Sequence, residues 1–274
     1  MITDKDFMLC KSITQEEVFN YDETKWIAQE KKDGERIIAV VINHDTILIN
    51  RRGKICNFHF EEIVEDLKVL DDCIIDGEMI SLDDNFTQLQ RRALTKDRLK
   101  LKQLQIDIPV KFMVFDILAI NGVSKQDLIT HKPLKDRIII LNQLFNEKNL
   151  KHTELLEYGN IKDMYEKAKE NSREGIVIKN LNGIYEGKRS ENWAKHKFWN
   201  EVDIVFTKYT INPMGIRVET DDGRTACQVA GFQSQEVREV IDKDGQAEIT
   251  IQYLTKNEET GGYRFPSYKK LVVK

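Results

Sequence analysis

The segment Glu30-Lys31-Lys32-Asp33-Gly34-Glu35-Arg36 sets a lysine, a glycine and an arginine close together between two runs that read as strands. A lysine presented at a strand end can attack phosphorus, provided it is the free amine. Lowering its pKa from about 10.4 to near 7.5 takes about 4 kcal/mol of differential stabilisation. Burial and neighbouring cations could supply it, and Lys32, Lys195, Lys197 and a bound metal are the candidates. Gly34 would allow close backbone approach, and Arg36 would hold a phosphate or a ribose. The same residues also read as a charged hairpin turn with Asp33-Gly34 as its turn pair.

Other chemistry-bearing groups follow in order. Asp76-Gly77-Glu78 lies in a strand-like run, where a carboxylate could accept two ribose hydroxyls or approach a metal. Phe115 in FMVFD reads by itself as core, the commonest place for an aromatic in a strand. Glu174-Gly175-Ile176-Val177-Ile178-Lys179 sets a carboxylate and a lysine at opposite ends of a strand. In Trp193-Ala194-Lys195-His196-Lys197, alternation puts both lysines on one strand face. Two ammoniums there repel unless an anion such as a triphosphate lies between them. A solvated strand face is the plain alternative.

Taken together these segments resemble the signatures of covalent nucleotidyltransferases, which comprise DNA ligases, RNA ligases and mRNA-capping enzymes. Lys31-x-Asp33-Gly34-x-Arg36 is similar to KxDGxR, and Asn50-Arg51-Arg52-Gly53 partly to SRNG, with its first and third residues replaced. Asp76-Gly77-Glu78, the FD of Phe115-Asp116, EGIVIK at 174–179, Arg189-Ser190 and WAKHK at 193–197 supply the remaining elements. The resemblance implies that Lys31 forms a covalent adenylate from ATP. It implies that Glu30, Arg36, Arg51, Glu78, Phe115, Glu174, Lys179, Arg189, Lys195 and Lys197 contact the nucleotide. Phe115 would stack on adenine, Glu78 would hold the ribose, and Lys179 would touch the α-phosphate. Lys31, Lys195, Lys197 and Arg36 would carry catalysis, and Glu174, Glu78 and Asp76 would hold Mg²⁺ or Mn²⁺.

Asn85-Phe86-x-Gln88-Leu89-Gln90-Arg91-Arg92 resembles the NFQxLQxR stretch of ATP-dependent DNA ligases. With Arg51, Arg52, Arg91, Arg92, Lys96 and Arg98 it implies a surface that follows duplex phosphates without reading bases. NAD-dependent ligases carry a further region before the lysine and zinc-binding domains after the barrel. Only 30 residues precede Lys31 and no CxxC pair exists, so ATP is favoured. The implied activity is sealing of nicks with 5′-phosphate and 3′-hydroxyl ends in duplex DNA. The rival is an RNA ligase, or an enzyme accepting RNA/DNA hybrids. GYRFPSY at 262–268 resembles the element closing the ligase barrel, but the R-x-D-K that usually follows is missing. Lys270 or Lys274 is the candidate substitute.

These residues need strands to hold them. WIAQE (26–30), IIAVVI (37–42), TILIN (46–50), CIIDGEMI (73–80), VKFMVFDILAI (110–120) and GIVIK (175–179) are β-branched or apolar runs that predict strands. Helices are expected over 60–70, over at least the first half of 85–105, from Pro133 to 148, and over 160–171. Beyond Trp193 come the short runs VDIVFTKY, GIRVET, TACQVAG and AEITIQYL, with one helix over 234–241. The expected fold is α+β: an ATP-grasp-like nucleotidyltransferase domain of antiparallel sheets with flanking helices over 1–199. A small OB-fold β-barrel would occupy 200–274.

Composition is permissive. The chain has 274 residues, 42 basic against 46 acidic side chains and a net charge of −4, so bulk positive charge is not its means of binding nucleic acid. A local basic track remains open. The expected setting is a monomer in the cytoplasm of a bacterial or phage-infected cell. No membrane span or export signal is expected, and the scattered Cys10, Cys56, Cys73 and Cys227 read as reduced thiols.

Overall fold

The computed structural model describes residues 2–256 and 260–272; Lys274, a candidate substitute above, lies outside them. The chain divides into two units, Met1–His196 and Lys197–Lys274, against an expected boundary at 199/200.

The first unit opens with β1 (Leu9–Ser12), α1 (Gln15–Val18), β2 (Trp26–Glu30), β3 (Glu35–Ile42) and β4 (Asp45–Asn50). Next come α2 (Glu61–Leu67), β5 (Cys73–Ser81), α3 (Phe86–Leu94), α4 (Arg98–Asp107) and β6 (Val110–Ile120). It ends with α5 (Leu134–Phe145), β7 (Thr153–Leu155), α6 (Ile161–Glu170), β8 (Gly175–Asn180) and β9 (Arg189–Lys197). One sheet runs β4-β3-β5-β6-β7, and a second runs β1-β9-β8-β2. In the first sheet only the β6–β7 pair is parallel.

Strand β3 explains why the sequence reads as an unbroken apolar run. Ile37, Ala39 and Val41 face a core shared with Ile63 and Leu67 of α2 and with Leu141 and Leu144 of α5. Ile38 faces the other way, into a core containing Phe7, Met8, Phe115, Tyr185 and Trp193. A strand covered on both faces cannot alternate apolar with polar residues. Each isoleucine so buried contributes roughly 1.5–3 kcal/mol. The second core draws residues from both sheets, among them Phe115 of β6 and Trp193 of β9.

Two differences from the expected elements have physical reasons. The basic stretch 85–105 forms two helices, because Asp97 leaves helical geometry to cap α4. Its carboxylate accepts from the amides of Leu99 at 2.9 Å and Lys100 at 3.2 Å. Strand β1, four residues long, has too little pattern to be read from sequence, and exists because it pairs in parallel with β9.

The second unit holds β10 (Asn200–Phe206), β11 (Lys208–Asn212), β12 (Gly215–Glu219), β13 (Ala226–Ala230), α7 (Phe232–Asp244) and β14 (Ala247–Tyr253). It continues with β15 (Thr255–Lys256), β16 (Tyr263–Arg264) and β17 (Ser267–Leu271). Its main sheet has the order β10-β14-β17-β13-β12-β11. The two outer strands are separated in sequence by Thr207 alone, so one bent strand supplies both ends of the sheet. VDIVFTKY therefore spans two strands rather than one. With β13 and β17 parallel and a helix between β13 and β14, this is the five-stranded Greek-key barrel of the OB-fold. Phe206, Val218, Val229, Val237, Ile249 and Ile251 fill it. Helix α7 stops at Gly245, whose φ of 77° suits glycine at a left-handed cap.

Candidate active site

Strands β2 and β8 pair antiparallel, with Glu30 opposite Ile176. The ladder continues one residue further, where the Lys31 amide donates to the Gly175 carbonyl at 2.9 Å. This brings together two residues 143 positions apart: Lys31 Nζ donates to Glu174 Oε2 at 2.5 Å. The Glu174 side chain is 4% exposed and that of Lys31 22%. Burial lowers the Lys31 pKa, but the carboxylates of Glu174, Glu78 and Asp33 outweigh it, and the net shift is upward. That corrects the expectation of a depressed pKa. In this structure Lys31 is an ammonium held by carboxylates.

The turn after Lys31 packs tightly on β5. A Cβ on Gly34 would stand 2.0 Å from the Met79 carbonyl oxygen and 2.9 Å from Glu78 Cγ, so only glycine fits between the lysine and the carboxylate. Arg36 on β3 lies opposite Glu78 on β5. Burial pushes the Glu78 carboxyl up to about 7, against the pull of Lys31 and Arg36. Arg36 itself forks onto Asp76, through Nε to Oδ1 at 2.7 Å and Nη2 to Oδ2 at 2.6 Å. Asp76 is fully buried and also accepts from the Tyr185 hydroxyl at 2.7 Å. Its oxygens are thus engaged, which removes Asp76 from the expected metal set. Among the described residues no group of three or more His, Cys, Asp or Glu side chains could hold a metal ion. An ion at Glu174 and Glu78 would have to draw its other ligands from phosphate and water, as Mg²⁺ commonly does.

Phe115 on β6 is 7% exposed, with the Arg36 guanidinium 4.8 Å and the Lys179 ammonium 4.3 Å from its ring centre. Lys179, at the far end of β8 from Glu174, is 2% exposed and also stands 4.1 Å from the Trp193 ring. Its Nζ lies 3.5 Å from the Phe115 carbonyl oxygen. Burial pushes this amine down to about 7, with Asp116 opposing and Arg36 reinforcing the shift. Lys31, Arg36, Glu78, Phe115, Lys179 and Trp193 line one cavity, whose wall also includes Glu30. Glu30 accepts from Lys32 Nζ at 2.8 Å and lies 3.5 Å from Arg173 Nε. Arginine 173 and Trp193 were not among the expected site residues.

Other expected residues lie outside this cavity's wall. Arg51 and Arg52 are exposed on the turn after β4, where the Asn50 side-chain oxygen accepts from the amides of Arg52 and Lys54, each at 3.1 Å. That shape gives the N-R-R-G segment a structural reason. Arg189 is exposed at the start of β9 and donates to the Cys10 carbonyl. Lys195 and Lys197 are half-buried on β9, which the parallel pairing with β1 sets beside Ser12. Within the second unit, Lys197 stands over the rings of Trp199 and Phe265 at 5.6 and 5.2 Å. Lys270 is exposed on β17.

The basic helices divide their arginines. Arg91, Lys96 and Arg98 are exposed. Arg92 is fully buried and corrects the expected nucleic-acid contact. Its Nη2 donates to both Glu62 oxygens at 2.5 and 2.6 Å, its Nε to the His59 carbonyl at 2.9 Å and its Nη1 to the Ile108 carbonyl at 2.7 Å. It stitches α3 to α2, and a buried guanidinium needs such partners.

A family model described as ATP dependent DNA ligase domain matches residues 7–197. The SPbeta prophage-derived DNA ligase-like protein LigB of Bacillus subtilis is 30% identical over 213 residues, covering 75% of this chain and 73% of that protein. A DNA ligase of Methanococcus aeolicus is 30% identical over 205 residues, covering 70% of this chain but only 35% of its own length. A structure described as a Lig E DNA ligase, a minimal scaffold for DNA binding, superposes with a TM-score of 0.68 at 18% identity, covering 97% of this chain and 98% of that one. That likeness bears on the fold of both units. No helix among the described residues is long and apolar enough to cross a membrane.

Proposed function

The chain belongs to the ATP-dependent DNA ligase family and is an enzyme of that class, and we propose that Lys31 is the nucleophile with which it seals nicks. The observation that carries this is the cavity lined by Lys31, Glu78, Arg36, Phe115 and Lys179, with Glu174 paired to Lys31, all drawn from five strands and their ends. Lys31 attacks the α-phosphate of ATP, its Nζ–P bond forming as the bond to pyrophosphate breaks. The AMP passes to a 5′-phosphate at the nick, and the 3′-hydroxyl then displaces AMP to join the strands. Charge grows on phosphate oxygens in each step, so cations held in place do most of the work.

Within this reading Phe115 supports the adenine, Glu78 the ribose, and Lys179 the α-phosphate. Lys179 rests near neutrality, and an arriving phosphate anion would favour its charged form. Lys31 begins as an ammonium paired with Glu174, so its proton must leave before attack. Glu174 and Glu78 suit a magnesium or manganese ion that shares its ligands with phosphate, and such an ion would offset charge on the α-phosphate. Lys195, Lys197 and Arg189 are proposed for the phosphates of nucleotide and nick, with Lys270 as the substitute for the missing arginine. Arg51, Arg52, Arg91, Lys96 and Arg98 are proposed for the duplex backbone. The partner is nicked duplex DNA, met by a single chain in the cytoplasm of a bacterial or phage-infected cell. The likeness to a prophage-derived relative supports that setting.

Lys31→Ala is expected to abolish transfer of label from α-labelled ATP to the protein while leaving its fold intact by thermal melting. Label persisting on the variant refutes Lys31 as the nucleophile.

A further inference from the structure

Tyr185 and Arg137, which no expected site residue set included, stand behind the charged groups of the cavity. Tyr185 lies on the segment between β8 and β9 and is 6% exposed. Its hydroxyl donates to Asp76 Oδ2 at 2.7 Å and accepts from the Met8 amide at 3.1 Å. Asp76 is the carboxylate that grips Arg36 with both oxygens. The Tyr185 segment is pinned in turn by Arg137 of α5, whose Nη1 donates to the carbonyls of Lys132 at 2.6 Å and Gly183 at 3.2 Å. The remaining prongs of the Arg137 guanidinium, Nε and Nη2, fork onto Asp116 at 2.7 and 2.9 Å. Asp116 directly follows Phe115 on β6.

We propose that Tyr185, braced by the Arg137–Asp116 fork, is a positioning residue for the nucleotide: it fixes how Asp76 presents Arg36, while the fork fixes the stretch of β6 that carries Phe115. The inference rests on the cavity being the nucleotide site. Both partners of the fork have side chains at 0% exposure. A pair so buried gives up about as much in desolvation as it regains by attraction, so net stability is a weak reason for it. Geometry is a better one. A planar guanidinium with all its prongs engaged ties β6, the start of α5 and the Tyr185 segment into one relationship. Tyr185 also meets the Trp193 ring edge-on, with centres 5.6 Å apart, so its ring and its hydroxyl are fixed by different neighbours. One segment thereby governs two residues of the cavity wall, Arg36 through hydrogen bonds and Trp193 through packing.

The test uses the full chain with Tyr185→Phe, Arg137→Lys and the double variant, alongside wild type and Lys31→Ala. KM for ATP and kcat are measured in formation of the covalent adenylate, equilibrium binding of ATP is measured without divalent cation, and melting is recorded for each. Tyr185→Phe is expected to raise KM about tenfold, with kcat changed less than about threefold, since one buried hydrogen bond to a charged group is removed. Arg137→Lys is expected to act in the same direction, and the double variant to fall short of the product of the two, because both act through one segment. A Tyr185→Phe protein that melts lower yet keeps wild-type KM and ATP affinity overturns the proposal, as that is what a purely structural tyrosine would do. Fully multiplicative effects overturn the shared route. Should Arg137→Lys not fold, Tyr185→Phe decides alone. If wild type takes no label, the Lys31 reading fails, and the ATP affinities of wild type and Tyr185→Phe still judge the brace.

Discussion

The two ends of strand β8 carry opposite solutions for a lysine. At one end Glu174 pairs with Lys31 at 2.5 Å, and carboxylates keep that amine protonated in spite of burial. At the other end Lys179 sits among the rings of Phe115, Trp193 and Tyr158, and burial lowers it to about 7. Aromatic faces stabilise a cation far less than a carboxylate does. Depth and neighbours together therefore set which lysine is charged: the Lys31 side chain is 22% exposed and paired with Glu174, whereas Lys179 is 2% exposed among aromatic rings. On the proposed reading, Lys31 rests as an ammonium that does not react with adventitious electrophiles, and Lys179, lowered to about 7, takes up its full charge where a phosphate supplies the partner.

Replacing Lys31 with arginine breaks this comparison most sharply. A guanidinium keeps the charge and can keep the Glu174 pair, but it does not become a free amine at working pH. Lys31→Arg should lose covalent labelling by at least about 10³-fold while melting close to wild type. Appreciable label on that variant would show that the charge, rather than the amine, is what the site uses.

Lys179→Met tests the other end. Labelling should fall roughly 10- to 100-fold if a charge-assisted contact to phosphate is lost. Stability at pH 7 should hold or rise, because a buried charge is replaced by an apolar chain of similar length. The pH dependence has a definite sign. Between the folded value of about 7 and the ordinary 10.5, the unfolded chain binds a proton at Lys179 that the folded chain does not. Wild-type stability should therefore climb with pH across that window relative to Lys179→Met, by up to about 1.4 kcal/mol per unit. The penalty is greatest below pH 7 and gone above 10.5. Parallel unfolding curves for the two proteins from pH 7 to 10 would rule out a neutral Lys179.

The adjacent arginines of α3 repeat the contrast with a smaller effect on function. Arg91→Ala should leave melting unchanged and reduce the slope of log affinity for nicked duplex against log salt by about 1. Arg92→Ala should instead cost about 3 kcal/mol of stability, since it strands Glu62 beside a buried site, with the salt slope unaltered. Equal salt slopes for Arg91→Ala and wild type would remove α3 from the DNA surface.

Much of the frame was legible along the chain. Strands β2, β3, β4, β5, β6 and β8 lie where β-branched or apolar runs predict them, because burying strand side chains leaves a compositional trace. The glycine of Lys-x-Asp-Gly was legible as a close approach, though the carbonyl it approaches, that of Met79, was not. Arg91 and Arg92 look alike in sequence, and nothing local says that one turns outward and its neighbour inward onto Glu62. Asp76 and Glu78 likewise read as a matched pair, yet the first is engaged by Arg36 and Tyr185, and the second is pushed up to about 7.

By itself the sequence determined which residue types were at hand, their order, and the periodicities that turn them into strands and helices, since these depend on neighbours a few positions away. Tertiary structure alone decided charge state and partnership. Lys31 meets Glu174 across 143 positions, and Tyr185 meets Asp76 across 109. Electrostatic free energy depends on distance and on the water removed between groups, and both are fixed only when the sheets close over one another.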